Sequence, residues 1–160
     1  MTSSAVKADV SFDFREAWVL MVDQSAGFMD IAAQMLRGFG FKKFDRFADL
    51  DRYSERRQEL APDLILIDPF PERDRALAFI ESVRKREAVD GSSMLVIVVT
   101  SKPSAQVVTA ARECGADYVV AKPFSPKVLL DRILWSANAD AELEFATGDR
   151  GRGAGRQGLR

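Results

Sequence analysis

The chain has no histidine in any of its 160 residues. That absence removes Ser-His-Asp and Cys-His triads, histidine-ligated zinc and haem, and imidazole acid–base chemistry. A single cysteine, Cys114, excludes an internal disulfide framework and any multi-cysteine zinc site. It falls near the end of an amphipathic helical pattern and reads as a small packed hydrophobe. No apolar run approaches the roughly 20 residues needed to cross a bilayer. Met1 to Ala8 is small and polar, without the apolar centre of a secretory signal. Neither sign of charge dominates: 23 Lys and Arg stand against 24 Asp and Glu, so nothing steers the whole molecule to nucleic acid or to an anionic membrane. The expectation is a cytoplasmic protein whose chemistry must use carboxylates, hydroxyls and lysines.

What is present is enough apolar residue, 47% of the chain, for one domain with a real core and tails. Trp18-Val19-Leu20-Met21-Val22 is a short continuous apolar run, as suits a strand buried on both faces. Phe28, Ile31, Ala32, Met35, Leu36 and Phe39 then recur at helical spacing and stop at Gly38 and Gly40. Phe41 to Phe47 alternates weakly, as a strand near an edge would, and Asp49 to Leu60 is a charged helical segment broken by Pro62. Leu64-Ile65-Leu66-Ile67 is a second buried run. Ala76, Leu77, Phe79, Ile80 and Val83 mark a further helix with Arg84, Lys85 and Arg86 near its C-terminal end. Met94 to Val99 is the strongest strand; Val107 to Ala111, Tyr118 to Ala121 and Pro126 to Trp135 complete the order.

A strand and a helix thus alternate five times, which implies an α/β fold with a doubly wound, five-stranded parallel sheet. The predicted boundaries are an N-terminal tail over 1–15, a domain over 16–137 and a C-terminal extension over 138–160. The extension is Gly- and Arg-rich and expected to be disordered from 147. Ser136 to Phe145 could extend the last helix or form a short one of its own. The stretch after Trp135 is too short for a DNA-binding module.

In open α/β sheets ligands bind at the carboxyl ends of the strands. The residues following the apolar runs are Asp23, Asp68, Thr100-Ser101 and Lys122-Pro123. Singly each has an ordinary reading: Asp68 a turn residue before Pro69, Asp23 or Ser25 a helix cap, Thr100 a strand residue, Lys122 a surface charge. Together they bring two carboxylates, a hydroxyl and an ammonium to one edge, which is a set suited to phosphoryl capture. A carboxylate can form an aspartyl phosphate. Two acids about 4 Å apart repel by roughly 4 kcal/mol in a partly screened setting, and Mg²⁺ relieves that repulsion. Lysine supplies a point charge for phosphoryl oxygens.

These stretches, "VLMVD", "PDLILID", "VIVVTS" and "GADYVVAKPF", resemble the response-regulator receiver domain from about Ala17 to Trp135. The resemblance implies a flavodoxin/CheY-like (βα)5 fold with strand order 2-1-3-4-5, the order of which CheY is itself a standing example. It implies Asp68 as phosphoacceptor, with Asp23, Asp68 and the Phe70 main-chain carbonyl as Mg²⁺ ligands, Thr100 as switch hydroxyl and Lys122 as phosphoryl contact. A cis peptide at Lys122-Pro123 is implied too. The partners implied are a histidine kinase or phosphotransfer protein and an output protein docking on the fourth helix, fifth strand and fifth helix. A homodimer is a further possibility. No enzyme activity is expected beyond self-catalysed transfer to Asp68, and no nucleic acid or membrane partner.

Three departures bear on that reading. Gln24 stands where the family usually carries a second acid; its carbonyl could face a metal, but one charge is lost. The loop "DPFPERDR" is one residue short up to Pro71 and lacks the usual glycine. Val119 takes the place of the switch aromatic three residues before the lysine, and alternation turns Tyr118 to the opposite face. These favour an alternative, a pseudo-receiver acting as a phosphorylation-independent docking or dimerisation module. A flavodoxin-like small-molecule binder is poorer, because no Gly-rich phosphate loop follows the first strand.

Overall fold

A computed structural model describes residues 12–55 and 61–147 of the chain. Three continuous apolar runs become its central strands: β1 (Trp18–Val22), β3 (Leu64–Ile67) and β4 (Leu95–Thr100). Two shorter strands flank them, β2 (Lys43–Phe47) and β5 (Tyr118–Ala121). The five are parallel in the order β2-β1-β3-β4-β5, as expected. Between them run α1 (Ala26–Phe39), α2 (Leu50–Glu55), α3 (Arg73–Asp90), α4 (Ala105–Cys114) and α5 (Pro126–Thr147).

The period of two splits every central run between two cores. Val19, Met21, Leu64, Leu66, Leu95 and Ile97 face α1 and α5, meeting Leu36 and Ile133. Leu20, Val22, Ile65, Ile67, Val96 and Val98 face the other side, meeting Ile80 and Val83 of α3 and Ala111 of α4. Each fully buried Leu or Ile contributes roughly 1.5–3 kcal/mol relative to exposure, so both layers are held by apolar burial. The weakly alternating β2 is an edge strand, consistent with its half-buried pattern.

Local chemistry sets the helix ends. Ser25 caps α1 by accepting the Phe28 N–H at 3.1 Å, and Ser104 caps α4 by accepting the Val107 N–H at 3.2 Å. Gly115 closes α4 at φ 112°, and a Cβ there would lie 2.6 Å from Arg84 Cγ, so both conformation and space require glycine.

Several details differ from the sequence reading. The helix expected over Asp49 to Leu60 is α2, which covers Leu50–Glu55; positions 56–60 lie outside the described residues. The last helix runs on through Ser136 to Thr147, so no separate short helix forms there. The Gly/Arg-rich extension from 148 onward and positions 1–11 also lie outside the described residues. Phe14, on the tail side of the predicted boundary, is buried and stacked on Phe41 at 4.5 Å, with Phe12 stacked outside it at 6.1 Å. Arg84 to Arg86 fall toward the C-terminal end of α3, which runs on to Asp90. Arg84 reaches across to Met94 and Asp117, the residues just before β4 and β5. Among the described residues no helix is long and apolar enough to cross a membrane.

Candidate functional site

Register brings the polar strand ends together. Val22 pairs with Ile67 and Thr100 with Ala121, so Asp23 and Asp68 emerge side by side, and Lys122 follows the partner of Thr100. Asp23, the residue after β1, is 5% exposed. Its N–H donates to the Phe47 carbonyl, and its Oδ1 accepts the Ser25 N–H at 2.8 Å. Asp23 is therefore not the cap of α1, a role Ser25 fills; it braces the turn with one oxygen and keeps the other for the site. Asp68 repeats the device after β3. Its N–H donates to the Val22 carbonyl, and its Oδ1 accepts the Phe70 N–H at 2.9 Å.

Lys122 spans both acids. Its Nζ donates to Asp23 Oδ2 at 2.5 Å and to Asp68 Oδ2 at 2.9 Å, with all three side chains largely buried. One lysine thus offsets two carboxylates that would otherwise repel. The Lys122 N–H donates to the Thr100 carbonyl, and the Lys122-Pro123 peptide is cis, as the resemblance implied. A second cis bond, Phe70-Pro71, lies in the shortened loop. Thr100 is fully buried, and its Oγ1 accepts the Lys102 N–H at 3.0 Å.

Beside the acids lies a cavity of about 40 Å³, whose wall includes Asp23, Gln24, Asp68, Phe70 and Glu72. One water needs roughly 10–15 Å³ on such a measure, so the space admits an ion and a little water, not a flavin-sized ligand. Thr100 and Lys122 stand outside its lining. The donor set is hard oxygen: two carboxylates with lone pairs to spare, an amide oxygen at Gln24 and main chain at Phe70. Mg²⁺ is held in many sites by one or two carboxylates together with waters and phosphate oxygens, so these residues fit it. Among the described residues no group of three or more His, Cys, Asp or Glu side chains is arranged to hold a metal, consistent with the acid lost at Gln24.

The aromatic position of the family is empty of an aromatic ring: Val119 packs with the α3/α4 core. Tyr118 turns to the α1/α5 core, as alternation requires, with Arg132 over its ring at 5.4 Å. One site residue was not legible in the sequence. Phe28, whose helical spacing marks it only as core, places its ring centroid 3.9 Å from Lys122 Nζ. Lys102 similarly lies over the Phe70 ring at 5.2 Å.

Comparison with known proteins agrees with this geometry. The family model for the response regulator receiver domain matches residues 19–134. The phosphate regulon transcriptional regulatory protein PhoB of Klebsiella pneumoniae is 32% identical over 115 residues, covering 72% of this chain and 49% of that protein. The DNA-binding response regulator MtrA of Mycobacterium leprae is 29% identical, covering 72% of this chain and 48% of that protein. The chain thus spans about half the length of the curated relatives it matches. A solved CheY-like receiver domain protein from Methanospirillum hungatei superposes with TM-score 0.63 at 23% identity, covering 78% of this chain and 96% of that one; it supports the fold alone.

Proposed function

The chain belongs to the response regulator receiver domain family of two-component signalling, and from that premise we propose that Asp68 is its phosphoacceptor and that phosphorylation alters binding to a protein partner. The observation that carries this reading is Lys122 bridging Asp23 and Asp68 at one strand-end edge. A carboxylate oxygen of Asp68 attacks the donor phosphorus, and the bond to the leaving group breaks as the acyl phosphate forms. Lys122, already at Asp68, turns its charge to the incoming phosphoryl oxygens. Asp23 and Asp68, with Gln24 and the Phe70 carbonyl, would hold Mg²⁺, which when bound would neutralise charge on the phosphoryl group. Thr100 reports the result through its hydroxyl.

On this reading the donor is a histidine kinase or phosphotransfer protein, the chain acts in the cytoplasm, and its only catalysis is on itself. The output face is α4, β5 and α5, alone or in a homodimer. The second reading, a phosphorylation-independent docking module, is favoured by Gln24 in the cavity wall and by Val119. The two separate on incubation with Mg²⁺ and acetyl phosphate, followed by intact mass. Asp68-dependent gain of one phosphoryl group, lost in Asp68→Asn, supports the first; no such gain at millimolar Mg²⁺ supports the second.

A further inference from the structure

We propose that Phe28 is a positioning residue for Lys122: its ring, backed by Phe124, holds the ammonium against the two carboxylates and away from water. The functional consequence rests on the phosphoacceptor reading above; the contact itself does not. Lys122 Nζ lies 3.9 Å from the Phe28 ring centroid, well inside the roughly 6 Å over which a ring face attracts a cation. An ammonium carries three donors. Two are engaged by Asp23 Oδ2 and Asp68 Oδ2, and the ring offers its negative face to the charge that remains. With the Lys122 side chain only 13% exposed, the ring takes a place that water would otherwise fill.

The ring is itself fixed. Phe28 sits in the first turn of α1, where its N–H donates to the Ser25 cap. Its ring meets Phe124 edge-on, 5.8 Å between centroids and 78° between planes. Phe124 follows Lys122 by two residues, so the chain that delivers the lysine also delivers the brace. A ring face attracts without the directionality of a hydrogen bond. The ammonium can therefore leave Asp23 for a phosphoryl oxygen on Asp68 and keep its contact with Phe28 throughout. With Val119 at the β5 position, the aromatic contact of this lysine comes from α1.

The test uses the full chain and three variants, Phe28→Leu, Phe28→Tyr and Asp68→Asn, each first shown to melt as the parent does. The first readout needs no phosphodonor: the rate at which acetic anhydride acylates Lys122, by peptide mass, with exposed Lys127 as internal reference. The second is the initial rate of Asp68-dependent mass gain with Mg²⁺ and acetyl phosphate. Phe28→Leu, which keeps bulk and removes the ring, should raise Lys122 acylation about fivefold and slow mass gain by a similar factor, while Phe28→Tyr stays within about twofold of the parent. Unchanged acylation in Phe28→Leu overturns the proposal, and so does an equal change in Leu and Tyr, since space-filling alone would then account for it. If acylation shifts as expected while the parent gains no mass at Asp68, Phe28 still positions Lys122 and it is the phosphoacceptor reading that falls.

Discussion

The sheet carries a charged cluster at each end, and the two are wired differently. At the amino ends of the strands Arg84 donates from Nε to the Gly115 carbonyl, from Nη1 to Glu87 and the Met94 carbonyl, and from Nη2 to Asp117. Its acids are committed as well: Glu87 accepts the Met94 N–H and Asp117 the Val96 N–H. At the carboxyl ends Lys122 holds Asp23 and Asp68 beside an open cavity. A guanidinium is a rigid fork whose donors fix geometry, whereas an ammonium on a flexible stem can redistribute its bonds. Buried opposite charges are therefore not in themselves a site. A charge set becomes one when its acceptors keep unused lone pairs, its cation can move, and space adjoins it.

The largest effect that should separate the two ends is on stability. Arg84→Ala removes the cation that Glu87 and Asp117 share, both about three-quarters buried, and should cost about 3 kcal/mol in a urea melt. Arg84→Lys should recover less than half, because the fork is lost. Mass gain at Asp68 should be unaltered in both wherever the chain is folded. Full rescue by lysine would show that only charge matters at this end, and the contrast with Lys122 would collapse.

A smaller effect sharpens the other end. Gln24→Asp restores a carboxylate to the cavity wall and should tighten Mg²⁺ binding about tenfold by calorimetry, each added hard charge strengthening attraction for the ion. Without metal the third acid adds repulsion to Asp23 and Asp68, so the melt should fall by under about 1 kcal/mol, the residue being exposed. Equal Mg²⁺ affinity in both proteins would mean that the side chain at 24 does not reach the ion.

How much of this was legible in the sequence follows from how local each signal is. β1, β3 and β4 were readable because burial on both faces leaves uninterrupted apolar runs. Asp23, Asp68, Thr100 and Lys122 were readable because each is the first polar residue after such a run, and topology then converges them. Arg84 was legible only as a basic residue near a helix end: its acceptors Gly115 and Asp117 lie 31 and 33 residues away, beyond any local pattern. Phe28 was legible only as core, since one helical period serves a packed ring and a ring over an ammonium alike. Phe12 and Phe14 had no visible role because the anchor is distant in sequence: Phe14 stacks on Phe41, and Phe12 stacks on Phe14.

The smallest predicted effect concerns Asp63, which shares the amino end of the sheet with Arg84 but takes its hydrogen bond from main chain. Its Oδ2 accepts the Trp18 N–H at 2.8 Å. Burial raises its carboxyl above the ordinary value near 3.8, outweighing that hydrogen bond and the pull of Lys43, both of which lower it. The folded chain therefore binds this proton more tightly than the unfolded chain. Relative to the protonated form, the group's contribution is fully present below the unfolded value and is lost as pH rises through the folded one. Asp63→Asn keeps a carbonyl for the Trp18 N–H and cannot titrate. At neutral pH it should match the parent or exceed it by under about 1 kcal/mol, the site being only half-buried, and the advantage should shrink as pH falls toward about 4. Urea melts at several pH values read this directly. A variant less stable than the parent at neutral pH would mean that the charged hydrogen bond to Trp18 outweighs burial. The amino end would then hold its acids by attraction at every position, not only where Arg84 reaches.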